Sequence, residues 1–222
     1  MIENATGLVL RVRPLTETSL IVHWFTPDLG RVATVAKGAR GPKSPFRGKL
    51  DLFYLADFSF SRSRRSELHT LREVSLRETH ARLRRDLVRL RQAAYGTSLI
   101  EYATETETPI LEIFHLMQGF VRHLIEHEPQ PQNIFSFELK LLEHLGLKPD
   151  LEKARLKPGT RQLIGVLEND DWNVVARLKL SEAQERELRQ FLHGFLIFHL
   201  ERIPKGRSSA LGLSEGQPAS EL

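Results

Sequence analysis

The chain has 222 residues and no cysteine. Disulfides and thiolate metal sites are therefore excluded. Long apolar runs are missing as well. A membrane-crossing helix needs about 18 apolar residues in succession, whereas the longest candidate, Phe191 to Leu200, is shorter and holds two histidines. The N-terminus has neither the basic stretch nor the apolar core of a secretory signal, so a cytoplasmic location and no membrane partner are expected. Catalytic signatures are absent too. There is no Gly-x-Ser-x-Gly elbow and no Rossmann fingerprint. The segment Gly38 to Ser44 fails as a phosphate-binding P-loop, because two residues separate its glycines where four are needed and Pro42 removes an amide. No enzymatic activity is expected.

Enough is present to build a core. Hydrophobic residues make up 41% of the chain, and the formal net charge is +4 with an isoelectric point near 9.5. The charge is uneven: residues 1–80 hold 13 Lys/Arg against 8 Asp/Glu, while the remainder is nearly neutral. A polyanionic partner for the first third follows from that excess.

The first 80 residues read as strands. Leu8, Leu10 and Val12 alternate with Val9, Arg11 and Arg13, the period of a half-buried strand. Further strands are expected over Leu20–Phe25, Arg31–Lys37, Leu50–Phe60 and Leu68–Leu76, with a Gly/Pro-rich loop at Gly38–Gly48. Five short strands point to a small barrel; an OB-fold fits, and an SH3-like barrel fits the periodicity almost as well. Beyond Thr79 the period becomes helical. Leu83, Leu87, Leu90 and Ala94 form one stripe; Ile110 to Leu124 a second, with Thr108 as N-cap; and Ile134, Phe137, Leu141 and Leu145 a third, stopped by Gly146. Ser181 and Gln184 make a capping box for a fourth helix, whose face is Leu188, Phe191, Leu192, Phe195 and Leu196. Residues 147–180 carry little pattern beyond a short strand at Trp172, Val174 and Val175. The fold class is thus α+β: a five-stranded N-terminal barrel at 1–79, a helical domain at 80–205, and a flexible tail at 206–222.

Six cations, Arg31, Lys37, Arg40, Lys43, Arg47 and Lys49, occur within 19 residues that contain no acid. A mobile loop bearing unopposed cations can follow a phosphate backbone. The nearby rings of Trp24, Phe25, Phe46, Phe53 and Tyr54 could stack on bases, but each is expected in the barrel core instead. Arg77, Arg82, Arg84, Arg85, Arg89 and Arg91 form a second basic cluster; Arg82 and Arg85 could extend the path, or the cluster is a solvated helix face. His123 and His127 share an i, i+4 spacing but lack a third ligand, and are expected at an exposed helix end.

The residues Gly7 to Pro14, Glu17-Thr-Ser19, Gly30-Arg31 and above all Val35-Ala-Lys-Gly-Ala-Arg40 with Lys43-Ser44 resemble the N-terminus of the RecO family. Phe137 to Gly146 resembles a helix of the same family more weakly. The resemblance implies a recombination mediator in DNA repair that binds single- and double-stranded DNA and anneals complementary strands. It also implies loading of the recombinase onto DNA coated by single-strand-binding protein, a nucleoid-associated role, and contacts with RecR and with that coat protein. Many members carry a four-cysteine zinc module; here residues 147–180 are a reduced remnant and no cofactor is expected. An OB-fold protein that binds RNA or DNA without annealing it is the alternative. The tail of single-strand-binding protein is acidic and ends in an apolar residue, so its receptor needs a helix-lined groove with a cation beside it. Arg122, Phe137, Lys140, Leu141 and Arg189 are the candidates.

Overall fold

A computed structural model describes residues 1–213. The described chain divides into two compact units, residues 1–81 with 104–115, and residues 82–103 with 116–213.

In the first unit the strands are β1 (Ile2–Pro14), β2 (Leu20–Thr26), β3 (Gly30–Ala36), β4 (Leu55–Ser61) and β5 (Leu68–Glu78). They close into a barrel in the order β1-β2-β3-β5-β4, antiparallel throughout except where β3 pairs in parallel with β5. An up-and-down barrel would keep sequence order. The crossover that carries β5 to β3 is the Greek key of an OB-fold. Alternation explains the register: Val9, Val22, Trp24 and Val32 point inward with Phe58, Phe60, Leu71 and Val74 to fill the core. The fourth strand starts at Leu55 and not at Leu50. Phe53 adopts a left-handed backbone, φ 63°, which interrupts the alternation.

Residues 104–115 are strapped to this barrel. The Glu107 amide donates to the Arg31 carbonyl, and the Arg31 guanidinium donates to the Thr104 hydroxyl and carbonyl. His69, 2% exposed, meets Glu107 at 2.7 Å, and Phe25 packs edge-on against Phe114. The barrel unit therefore extends beyond the boundary expected at residue 79.

The second unit contains a 3₁₀ turn at Leu83–Arg85, then α1 (Leu87–Ala103), most of α2 (Leu111–Glu126), α3 (Pro131–His144), α4 (Pro158–Asn169), α5 (Trp172–Arg177), α6 (Glu182–Leu200) and α7 (Arg207–Ala210). Several expectations need correction. Asp86 is extended and accepts hydrogen bonds from the Val88 and Arg89 amides, so it caps α1 and separates Leu83 from it. The stripe across that break fails: Leu87 and Ala94 are exposed, and α1 buries Ala93, Tyr95, Leu99 and Ile100. Thr108 does not cap α2, since its hydroxyl donates to the Thr106 carbonyl. Trp172–Arg177 is helical, with Asp171 accepting from the Asn173 and Val174 amides. The Gly146 stop and the Ser181–Gln184 capping box form as expected.

The flexible tail expected from residue 206 is overturned as far as residue 213. Arg207 is buried and its guanidinium grips both oxygens of Glu138, at 2.6 and 2.9 Å, while Tyr95 donates to the same carboxylate. Residues 214–222 lie outside the described residues.

Candidate nucleic-acid interface

The strand register builds a basic sheet face. Outward positions pair as Arg13, Ile21 and Val35 across β1, β2 and β3, continued by Thr70 of β5. One step along, Arg11, His23, Ala33 and Leu68 form the next row. No acid stands among these eight positions. With strands about 4.8 Å apart, each row spans roughly 14 Å. Arg11 and Arg13 are exposed. Arg13 donates to His23 Nε2 at 2.8 Å. A guanidinium carries only donors, so in this contact the imidazole nitrogen is the acceptor.

The cationic loop adjoins this face. It leaves β3 beside the β1–β2 turn, where the Arg40 amide donates to the Thr18 carbonyl and its guanidinium to the Thr16 carbonyl. These bonds and the burial of Phe46 anchor the loop at two points. Successive tight turns run through Gly41, Ser44, Arg47 and Lys49, and Phe46 is sunk into the barrel core. The anchoring holds Lys37, Arg40, Lys43 and Arg47 outward, all exposed, with Lys49 half-buried.

Three of the expected contacts are not part of this face. Arg31 is committed to Thr104, as described above. Arg82 and Arg85 are exposed but belong to the helical unit. Sequence reasoning missed Arg11 and Arg13, together with Arg64 and Arg65, which are exposed in the β4–β5 loop. The rings fall in the core: Trp24 stacks on Phe58 at 4.1 Å and donates to the Thr34 hydroxyl at 2.9 Å, and Phe25 and Phe53 are each 2% exposed. A cleft of about 650 Å³ opens elsewhere on the barrel, between Phe46, Lys49 and Arg72 on one hand and Asp28, Asp57 and Glu73 on the other. Three carboxylates against two cations make it a poor path for a polyanion.

Comparison with known proteins identifies this barrel and the helices after it. The profile described as Recombination protein O N terminal matches residues 1–80, and Recombination protein O C terminal matches residues 84–154. The chain belongs to the RecO family. It is similar to the DNA repair protein RecO of Alkaliphilus metalliredigens, 28% identical across 91% of this chain and 96% of that one. The RecO of Idiomarina loihiensis is 37% identical over 63% of this chain and 59% of its own. That of Symbiobacterium thermophilum is 35% identical over 67% and 58%. Membership places the chain in DNA repair and recombination.

The zinc module of many RecO proteins does not fit here. The chain has no thiolate to offer, and among the described residues no three His, Asp or Glu side chains are grouped to hold a metal. His123 is not at an exposed helix end but 2% exposed, stacked on Trp172, with Nε2 at 2.9 Å from the Asn133 side-chain oxygen. Burial holds its imidazole below the ordinary value, against the pull of that hydrogen bond.

The expected partner groove is not built as foreseen. Phe137 and Leu141 are 0% and 1% exposed and finish the bundle core. Lys140 is half-buried, and its ammonium donates to the Glu168 and Asp170 carbonyls at the end of α4. Arg189 lies near Glu185 one turn earlier, and Arg122 stays exposed. Among the described residues no helix is long and apolar enough to cross a membrane.

Proposed function

We propose that the barrel binds DNA through the outward face of β1–β2–β3 and the anchored loop after β3. The observation that carries this is two sheet rows free of acids, with Arg11 and Arg13 at their β1 end and Lys37, Arg40, Lys43 and Arg47 alongside. This is the side on which OB-folds take oligonucleotides. Each phosphate neutralised releases condensed counterions, so affinity falls steeply with salt. Arg31 is removed from the expected set, because its guanidinium serves the strap.

In keeping with the family, the chain is a non-catalytic recombination mediator of the bacterial cytoplasm. It anneals complementary strands and helps load the recombinase onto DNA coated by single-strand-binding protein, with RecR as partner. It needs no zinc.

The test is fluorescence anisotropy of a labelled single strand against the full chain over a salt series. Replacing Arg13, Lys37 and Lys43 with Ala is expected to weaken binding and to flatten the log–log salt dependence by about 0.7 for each lost phosphate contact. An unchanged slope in the triple variant refutes the proposed face. Mixing complementary strands with and without single-strand-binding protein tests annealing separately.

A further inference from the structure

We infer that the barrel holds DNA by its sugar–phosphate backbone alone, and so leaves the bases of a bound strand free to meet a second strand. This rests on the proposed binding face and specifies what that face recognises. Proteins that grip single strands by their bases expose aromatic rings as stacking platforms. Here every Trp and Phe of the barrel unit is at most 6% exposed. Two of them are stacked already, Trp24 on Phe58 and Phe60 on His69, and Phe25 is buried with an edge contact to Phe114. Tyr54 packs partly buried against the same core.

Beyond Arg13 and Arg11 at their β1 end, the outward rows carry aliphatic Ile21, Val35, Ala33 and Leu68, where a base would find no aromatic face. The ring they do carry is the half-buried imidazole of His23, engaged by Arg13. Guanidinium and ammonium groups remain, and their donors fit phosphate oxygens. A strand held this way presents its hydrogen-bonding edges to solvent. Single strands and duplex, which offer the same backbone chemistry, then compete for one track. Annealing follows physically: two strands are concentrated on the same cations without either having to unstack from protein before pairing.

The experiment compares three labelled probes of equal length on the full chain at fixed salt: a single strand, an abasic strand of the same backbone, and a duplex. Phe198 of α6 is 81% exposed in the helical unit, so each titration is repeated in Phe198→Ala, and the affinities are compared in that variant. The abasic strand is expected to bind within about twofold of the complete strand, because no stacking is lost. The duplex should displace both, and His23→Ala should leave the ratio unchanged. One stacked base would make the abasic strand weaker by roughly 5- to 150-fold, and a loss of that size overturns the inference while leaving DNA binding intact. If the complete strand itself fails to bind, or Arg11→Ala with Arg13→Ala changes nothing, the proposed face fails and this inference with it.

Discussion

Glu138 sits at 0% exposure in the helical unit, and the charge that balances it comes from Arg207, 69 residues later. Burial alone would pull the guanidinium toward neutrality; the facing carboxylate overrides it and holds the value raised. Burial raises the Tyr95 phenol, and the same carboxylate adds to the shift. Removing one member strands the other. Arg207→Ala is expected to destabilise by about 3–5 kcal/mol in urea denaturation, and Glu138→Leu with Arg207→Leu by clearly less, since paired apolar replacement leaves no buried charge. A single variant no worse than the double contradicts the account. His123 predicts a pH effect. Burial holds its folded value below the usual 6.5 of a histidine, so as pH falls the unfolded chain takes up a proton first. Stability is full above about 6.5, declines below it, and levels once the folded imidazole also titrates. His123→Gln should shallow the fall in urea midpoint between about pH 7.5 and 5.5. It should not abolish the fall, because burial depresses His193 as well.

Elements announced by local chemistry were legible in the sequence. The Ser181 hydroxyl accepts from the Gln184 amide while the Gln184 side chain takes the Ser181 amide. Ser181→Ala should therefore cost about 1 kcal/mol in thermal or urea unfolding; no change would mean that α6 is held by packing alone. Strands were equally readable where one side faces the barrel interior, as in β2 and β3. Errors arose where a single backbone break shifts the period: Phe53 before β4 and Asp86 before α1. The interface was half legible. Its loop cations cluster in sequence, but Arg11 and Arg13 gain meaning only through their register with Ile21 and His23, and pairing register is not a local property. Nor does any nearby residue announce that Arg207 belongs beside Glu138.

For the whole molecule, a fragment ending at residue 79 should unfold at lower temperature than one ending at 115. Only the longer one retains Glu107 against His69 and Arg62, and Phe114 against Phe25. Equal melting temperatures would show the strap to be dispensable. Chelator should leave the full chain's melting temperature unchanged, whereas a fall reversed by zinc would reveal ligands among His, Asp and Glu that the fold does not group. Gly30 ties barrel and strap most tightly. Its φ is +67° and a Cβ there would lie 2.4 Å from the Thr108 carbonyl oxygen, so Gly30→Ala should destabilise through strain and collision together. The strap also sets an order of events during synthesis. Residues 82–103 must be made before residues 104–115 can reach the barrel. At a translation rate of roughly 5–20 residues per second, the five strands wait a second or more with the Phe25 face uncovered. A nascent barrel thus passes through an interval of incomplete closure, during which a chaperone or a neighbouring nascent chain can reach that face first.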